Sequence, residues 1–505
     1  MIGDEISLAS SITQNDSIAQ EESERFSKHH PFINLLLMSV GPFLTTIGLA
    51  VLDSIDLMII SQRFKDDPNS YAVQIIGIGF FVLQICLDIG IFMSQAVLVR
   101  LSSLIGEGRR ESACQLFVDV IRISIIVNIL ATIIITFCAR PLMNFAGCTP
   151  DLIEQCMLLV ISTIAGLPIY TLFHVTTAFL QSIGKAVLNG LVHLAANVIQ
   201  TFILTPFLQY YIKIDVTLSN ISQPIAQSFV GLILFIMIFR GKFSLKPTFE
   251  MWFRPFNPET KTAFKLSLPT IPGFIYGLLP SSLILRFMTS ASSSETLKTD
   301  VIGVYTVIQK ILLIGLALVL AISMGFLTIA THSIASLNYK RMLMTLVYSL
   351  IITVAFLLIF IPLMLANPLS IVKLFISSES QLELAKKMVP IPIYTLVLSN
   401  IYMFTNTFFV AVGKPFISLA LSFIQLISIC VGAKVLNIKY PKDPTKQMFS
   451  YNICDILTFT FSIIMFIIEV IPYIQKVRHS NESTNQATKS LVRSSNIEHV
   501  LQSQY

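Results

Sequence analysis

The sequence predicts an all-α polytopic membrane protein with twelve transmembrane helices arranged as two parallel-repeat six-helix bundles. Three observations predict it. First, only 12% of the 505 residues are charged and 54% are hydrophobic, with a mean hydropathy of +0.77. A soluble globular chain carries about 25% charged residues, so this one has too little polar surface for a water-facing globule and too much apolar surface for a disordered chain. Second, the apolar residues gather into twelve stretches, and a bilayer-crossing helix needs about 20 such residues. Third, the two halves repeat short sequence words in the same order.

The stretches run, in order, from Phe32 to Ile60, Tyr71 to Val99, Leu116 to Phe137, Cys156 to Leu180, Val187 to Ile212 and Val216 to Phe239. The second six run from Leu266 to Thr289, Val301 to Ile329, Leu343 to Ala366, Met388 to Val412, Phe416 to Ala433 and Met448 to Ile474. They lack the short alternating pattern of a membrane barrel, so helices are expected. The longest polar break, Gly241 to Lys265, passes through Phe-Arg-Pro-Phe-Asn-Pro and divides the spans six and six. The expected organisation is a cytoplasmic disordered tail (1–31), an N-half bundle (32–240), a cytoplasmic linker (241–265), a C-half bundle (266–475) and a second disordered tail (476–505). The first tail is polar and acidic, without the basic start and apolar core of a signal peptide. The second is rich in Ser, Asn and Gln.

An even number of spans puts both termini on one side. The loops on that side hold Arg109, Arg110, Arg240, Lys242, Lys246, Arg254, Lys261, Lys340 and Arg341, which by the positive-inside rule makes it the cytoplasmic side. Lys434, Lys439, Lys442 and Lys446 fall on the other side and run against the rule. The plasma membrane is the first expectation for location, an internal membrane the second. These cations read as membrane-edge anchors rather than a nucleic-acid surface. The seven cysteines form no CxxC pair, which argues against structural zinc. Phosphate-loop spacing is absent, and His174, His193 and His332 stand on different spans. Neither a primary pump nor an enzyme is indicated, and no cofactor is expected beyond a coupling cation.

The repeat is visible word by word. Pro42 corresponds to Pro269, Val82-x-Gln84 to Val307-x-Gln309, and Ile89-Gly90 to Ile314-Gly315. Ile105-Gly106 corresponds to Ile334-Ala335, Ala139-Arg-Pro-Leu142 to Ala366-Asn-Pro-Leu369, and Gly184-Lys185 to Gly413-Lys414. Pro168-Ile-Tyr-Thr-Leu172 returns unchanged as Pro392-Ile-Tyr-Thr-Leu396. Every pair is 224 to 229 residues apart. Repeats with an even number of spans run the same way through the membrane, and transporters built so place substrate at the interface of their halves. A duplicated channel or a non-transporting receptor remains the alternative of another class.

Several of these words resemble the MATE (multidrug and toxic compound extrusion) family over about Phe32 to Ile474. Gly41-Pro42 followed by Val51-Leu-Asp-Ser-Ile-Asp56 is similar to that family's proline-then-aspartate first helix. Leu104-Ile-Gly-Glu-Gly-Arg-Arg-Glu-Ser-Ala113 resembles the end of its second helix, and Ala330-Thr-His-Ser-Ile-Ala-Ser-Leu-Asn-Tyr-Lys-Arg341 the matching end of its eighth. Phe179-Leu-Gln-Ser-Ile-Gly-Lys185 and Phe409-Val-Ala-Val-Gly-Lys-Pro415 resemble its two Gly-Lys turns. The resemblance implies a V-shaped twelve-helix fold. It also implies export of bulky, often cationic organic solutes against inward H⁺ or Na⁺, with Asp56 on the family's functional aspartate. Two departures stand out. The fifth helix has Asn197-Val-Ile-Gln200 and Thr205-Pro206 where many relatives carry Asn and Asp-Pro. The acids that some relatives place on helices seven, eight and ten are missing, and Lys310 and Arg286 lie there instead. A lipid or oligosaccharide flippase of the same superfamily is the runner-up, and it would need a basic central cavity.

An ionisable side chain inside a bilayer is costly, about 2.5–3.5 kcal/mol at a helix centre on insertion scales. Those that stay there are candidates for function. Asp56 is the leading coupling residue, because a low-dielectric surrounding lets a carboxyl load and release a proton near neutral pH. Asp53 lies three residues away on roughly the same face. The pair could share a proton or ligate Na⁺, or one of them could simply face the outer interface. Asn197 and Gln200, again three apart, together with Thr205, Gln84, Gln309 and Lys310, are the candidates for the substrate cavity; ordinary helix–helix hydrogen bonds are the plain alternative for the amides. Lys310 could counter a carboxylate, meet an anionic substrate group or snorkel. Asp119 and Arg122 read as a local pair, and Asp88, Asp455 and Glu469 as interior polar contacts without motif support. Pro42, Pro168, Pro269 and Pro392 are expected to bend their spans. The expected partners are a small organic substrate, a coupling cation and the bilayer, with the protein acting as a monomer and without nucleic acid.

Overall fold

The computed structural model describes residues 29–64, 72–145, 153–373 and 379–502. Within these segments, some side chains lie outside the description. The N-half contains α1 (Pro31–Arg63), α2 (Ala72–Gly106) and α3 (Arg110–Phe145). Next comes α4 in two pieces (Ile153–Ile164, Leu167–Ser182), bent by 51°. Helix α5 begins as Ala186–Val198 and continues with π-helical winding over Ile199–Leu204 and Phe207–Ile212. A 3₁₀ turn, Val216–Ile221, leads into α6 (Ser222–Phe239).

In the C-half, α7 is again in two pieces (Pro258–Ser267, Thr270–Ala291). Helices α8 (Glu295–Ala335) and α9 (Tyr339–Ala366) follow. Helix α10 is Glu379–Met388, Pro390–Ile393 and Leu396–Ala411, bent by 40°. Helix α11 is Pro415–Lys439, and α12 is Phe449–Gln502.

Nine helices among the described residues are long and apolar enough to cross a membrane, and the two bent pairs raise the number to eleven. The twelfth segment is the 22-residue second piece of α7, whose composition is broken by Pro272, Pro280 and Arg286. The two halves also repeat in space. Helix α1 lies against α5 as α7 lies against α11, α2 against α4 as α8 against α10, and α4 against α6 as α10 against α12.

Close helix approach is set by small residues, as it must be where lipid supplies no hydrophobic drive between helices. A Cβ on Gly41 would sit 1.8 Å from the Ala186 carbonyl oxygen, and one on Gly190 would sit 2.6 Å from Gly41 Cα. The α1–α5 contact therefore exists only because both positions are glycine. Outward-facing Ile126, Ile133, Ile134 and Phe137 on α3 form the kind of apolar belt a bilayer accepts.

The cross-half contacts gather at the face that carries the linker. There a Cβ on Gly106 of α2 would lie 2.7 Å from the His332 carbonyl oxygen of α8. Gln181 donates to Thr328 Oγ1 at 3.4 Å, and Arg100 bonds Glu259 at 2.8 Å. Asp119 is fully buried and pairs with Arg122 at 3.3 Å, as the spacing predicted. It also accepts from the Asn257 backbone N–H at 2.8 Å and from Thr260 Oγ1 at 2.9 Å, which fixes the linker to α3.

Three features differ from the sequence expectations. The segment 241–265 is not all linker. Asn257 caps the Glu259 N–H and Pro258 occupies the first helical turn, so α7 begins within it. Helix α12 continues to Gln502 through the segment expected to be disordered. No proline or glycine interrupts the chain after Pro472, so nothing local stops the helix. The four prolines also act unequally. Pro168, Pro269 and Pro392 sit at or beside breaks, whereas Pro42 lies inside unbroken α1, where its missing N–H frees the Met38 carbonyl, which accepts from Gln181 Nε2 at 3.2 Å.

Candidate functional site

Asp56 is 8% exposed and faces α5, where two side chains donate to it. Gln200 Nε2 reaches Oδ2 at 3.2 Å, and Thr205 Oγ1 reaches Oδ1 at 2.5 Å. The winding of α5 makes this possible. Pro206 lacks an N–H, and its ring clashes with the carbonyl four residues back; the helix absorbs this by widening to π geometry on both sides. Such widenings recur at functional sites. Thr201 Oγ1 closes the same contact onto the Leu52 carbonyl at 3.4 Å.

Thr205 Oγ1 is also 3.0 Å from Ser222 Oγ, the first residue of α6. A hydroxyl has one proton, so the direction of this chain depends on the acid. With Asp56 ionised, Ser222 donates to Thr205 and Thr205 donates to Asp56. With Asp56 protonated, its O–H can donate to Thr205, which then turns its own proton to Ser222. Both forms of the acid therefore have partners, and the change is transmitted from α1 through α5 to α6.

The other expected residues are placed as follows. Asn197 is buried one turn before Gln200, and among the described residues its Oδ1 has no partner, as is true of Gln200 Oε1. Buried orphans of this kind are normally met by water. Gln309 belongs to a different cluster in the C-half, where its amide donates to Tyr451 Oη at 2.6 Å and Tyr451 Oη lies 3.0 Å from Tyr305 Oη. The side chains of Asp53, Gln84 and Lys310 lie outside the described residues. Arg286 is exposed on α7.

Two arrangements were not expected from the sequence. His174 and His193 are not isolated: α4 and α5 bring their rings to 6.2 Å between centroids, with Phe173 edge-on to both. Asp455, assigned no motif, is buried on α12 and accepts from Thr395 Oγ1 at 2.6 Å. Among the described residues no group of His, Cys, Asp and Glu could hold a metal ion.

This architecture has close structural counterparts. A MATE protein solved with the ligand MaL6 superposes with a TM-score of 0.80 at 15% identity, over 90% of this chain and 99% of that one. An outward-facing multidrug resistance MATE family transporter of the MOP superfamily gives 0.79 at 15% identity, over 89% and 98%. A MOP superfamily transporter from Pyrococcus furiosus, described for the reverse polarity of its binding pocket, gives 0.77 at 16% identity, over 90% and 98%. No curated protein matches this chain. At these identities the superpositions establish the twelve-helix fold. The family follows from the sequence itself, because the MatE family model matches residues 43–211 and 281–433, more than half of the chain. The chain is thus a multi-pass membrane protein of the MATE transporter family.

Proposed function

We propose that the protein is a secondary active exporter of organic solutes, driven by inward H⁺ or Na⁺ through alternating access of its two six-helix halves. Asp56 is the coupling carboxyl. The observation that carries this proposal is the Asp56 cage: a buried acid with donors on α5 and a hydroxyl chain running on to α6, able to satisfy the charged and the neutral form in turn. H⁺ is favoured over Na⁺ because the described partners of Asp56, the Thr205 hydroxyl and the Gln200 amide nitrogen, reach it as hydrogen-bond donors. A cation would have to displace them and recruit oxygens of its own.

By the positive-inside rule, the basic residues at the linker face support a cytoplasmic position for that face and both termini, and the plasma membrane is our reading of the site of export. On this orientation the Gly106–His332 and Arg100–Glu259 contacts close the cytoplasmic side, and substrate would leave on the other. The test is efflux of a fluorescent organic cation from liposomes under an imposed pH gradient, with a Na⁺ gradient as the parallel arm. Gradient-driven efflux should fall at least about tenfold in Asp56→Asn, a loss of about 1.4 kcal/mol or more of coupling. Efflux indifferent to both gradients, or unchanged in Asp56→Asn, would sink the proposal.

A further inference from the structure

The C-half holds a buried carboxyl for which the coupling mechanism above has no use. Asp455 is 6% exposed, and Thr395, its hydrogen-bond donor, stands in the break of α10 between Pro390–Ile393 and Leu396–Ala411. Less than one turn earlier on α12, Asn452 Nδ2 donates to the Ile391 carbonyl at 2.9 Å. Neighbouring residues of α12 thus grip α10 just before its break, at Ile391, and within it, at Thr395.

The repeated sequence word provides an internal control. Pro168-Ile-Tyr-Thr-Leu172 and Pro392-Ile-Tyr-Thr-Leu396 are identical. In the N-half the word lies inside a continuous helical piece, and Thr171 Oγ1 bonds back to the Leu167 carbonyl at 3.0 Å. In the C-half the helix is interrupted at the same threonine, whose hydroxyl has left its own helix for Asp455. Because the five residues are the same, the difference arises outside the word, and the carboxyl on α12 is one feature that only the C-half has there.

Among the described residues, the surroundings of Asp455 supply no counter-charge. Helix α12 lies against α9, α10, α11 and the 3₁₀ turn Pro444–Met448. On α9 the cations Lys340 and Arg341 stand at the linker-face end, the far end from Asp455. On α11 Lys434 lies over the Phe287 ring, and in the turn Lys446 lies over Phe449. The nearby titratable hydroxyls are Tyr451, bonded to Gln309 and Tyr305, and Tyr402 of α10. No cation among the described residues bridges to Asp455, and an intramembrane carboxylate without one is costly.

We propose that Asp455 is a second proton-binding site, in the C-half, and that its protonation releases Thr395 and lets α10 wind helically through the repeated word, as α4 does once past its own bend just before that word. The balance is one proton: carboxylate plus H⁺ gives the neutral acid. The acid no longer needs the threonine proton, and that proton returns to a carbonyl of its own helix, as Thr171 already does. The proposal goes beyond the Asp56 mechanism and is tested without substrate or gradient, so failure of export leaves it standing or falling on its own.

The experiment is an infrared pH titration of the full-length protein in liposomes, following the C=O stretch of protonated carboxyls. Wild type should show a titrating buried-carboxyl signal that is lost in Asp455→Asn, retained in Asp56→Asn, and shifted in midpoint by Thr395→Val, with Asp455→Glu restoring it. A titration identical in wild type and Asp455→Asn would overturn the proposal. If Asp455→Asn does not fold, a midpoint unmoved by Thr395→Val would overturn it equally.

Discussion

The two halves repeat each other in sequence and in helix packing, yet they bury their membrane carboxyls on helices that do not correspond. Asp56 stands on α1, whose counterpart α7 has no acid between Thr270 and Ala291; Asp455 stands on α12, whose counterpart α6 has none between Ser222 and Phe239. What the two sites share is local. Each carboxyl takes a threonine hydroxyl from a neighbouring helix whose regular winding fails beside a proline: Thr205 before Pro206, and Thr395 after Pro392. Each lies six or seven residues from the end of its helix remote from the linker, about 10 Å deep at 1.5 Å per residue. A duplicated scaffold supplies disrupted helices in both halves. Where an acid is added decides which of them becomes sensitive to protonation.

Breaking the α1–α5 contact should have the largest effect and should separate the halves cleanly. Gly41→Leu forces a side chain to within 1.8 Å of the Ala186 carbonyl oxygen, backbone that cannot yield. We expect loss of folded protein, seen as loss of the monodisperse peak on size exclusion and of the thermal transition. Core overpacking typically costs about 1–3 kcal/mol and occasionally more, and this clash is with main chain. Recovery of a wild-type transition would mean that the N-half site does not depend on this close approach.

Thr205→Val sharpens the comparison at the level of single hydrogen bonds. It removes one of two described donors to Asp56 and cuts the path to Ser222, while keeping the shape of the side chain. Leaving a charged buried group short of a donor costs about 1–3 kcal/mol, so gradient-driven efflux should fall by roughly tenfold, with Thr205→Ser restoring most of it. In the C-half, Thr395→Val should leave Asp56-dependent coupling in place and alter the Asp455 titration instead. If the two valine substitutions behave alike in both assays, the halves are not functionally distinct in the way their hydrogen bonds indicate.

Much of this was legible in the sequence, and the rest was hidden for identifiable reasons. The spans, the duplication and Asp56 could be read because apolar length, ordered words and an aspartate downstream of Pro42 are local signals. Gln200 and Thr205 stand out in the fifth helix by polarity and by their place where relatives carry Asn and Asp-Pro. Their convergence on Asp56 depends on π winding around Pro206, which no side-chain periodicity announces. Asp455 was set aside because its partner is sixty residues away, and the identical words around Pro168 and Pro392 suggested sameness where the contacts diverge. His174 and His193 look isolated for the same reason, since nineteen residues and a turn separate two rings that the fold brings to 6.2 Å.

The smallest predicted effect lies at the joint between the halves, outside the spans. Arg100 of α2 and Arg109 beyond it both bond Glu259 at the start of α7, at 2.7–2.8 Å. Partial burial alone would raise the Glu259 carboxyl, but the hydrogen bonds and charges of the two arginines outweigh it and hold it below the usual glutamate range. A carboxyl depressed by folding stabilises the folded state above its ordinary pKa and loses that contribution as pH falls through the folded value. Glu259→Gln should therefore lower the thermal midpoint at pH 7, and the gap to wild type should close as pH drops below about 4. Arg109 is half exposed and solvent screens its share of the cluster, so a shift of only about 2 °C is expected, smaller in high salt. A gap that persists at low pH would assign the joint to packing at Gly106 and Thr328 rather than to charge. Rocking of the halves would then be set by helix contact and not by this ion cluster.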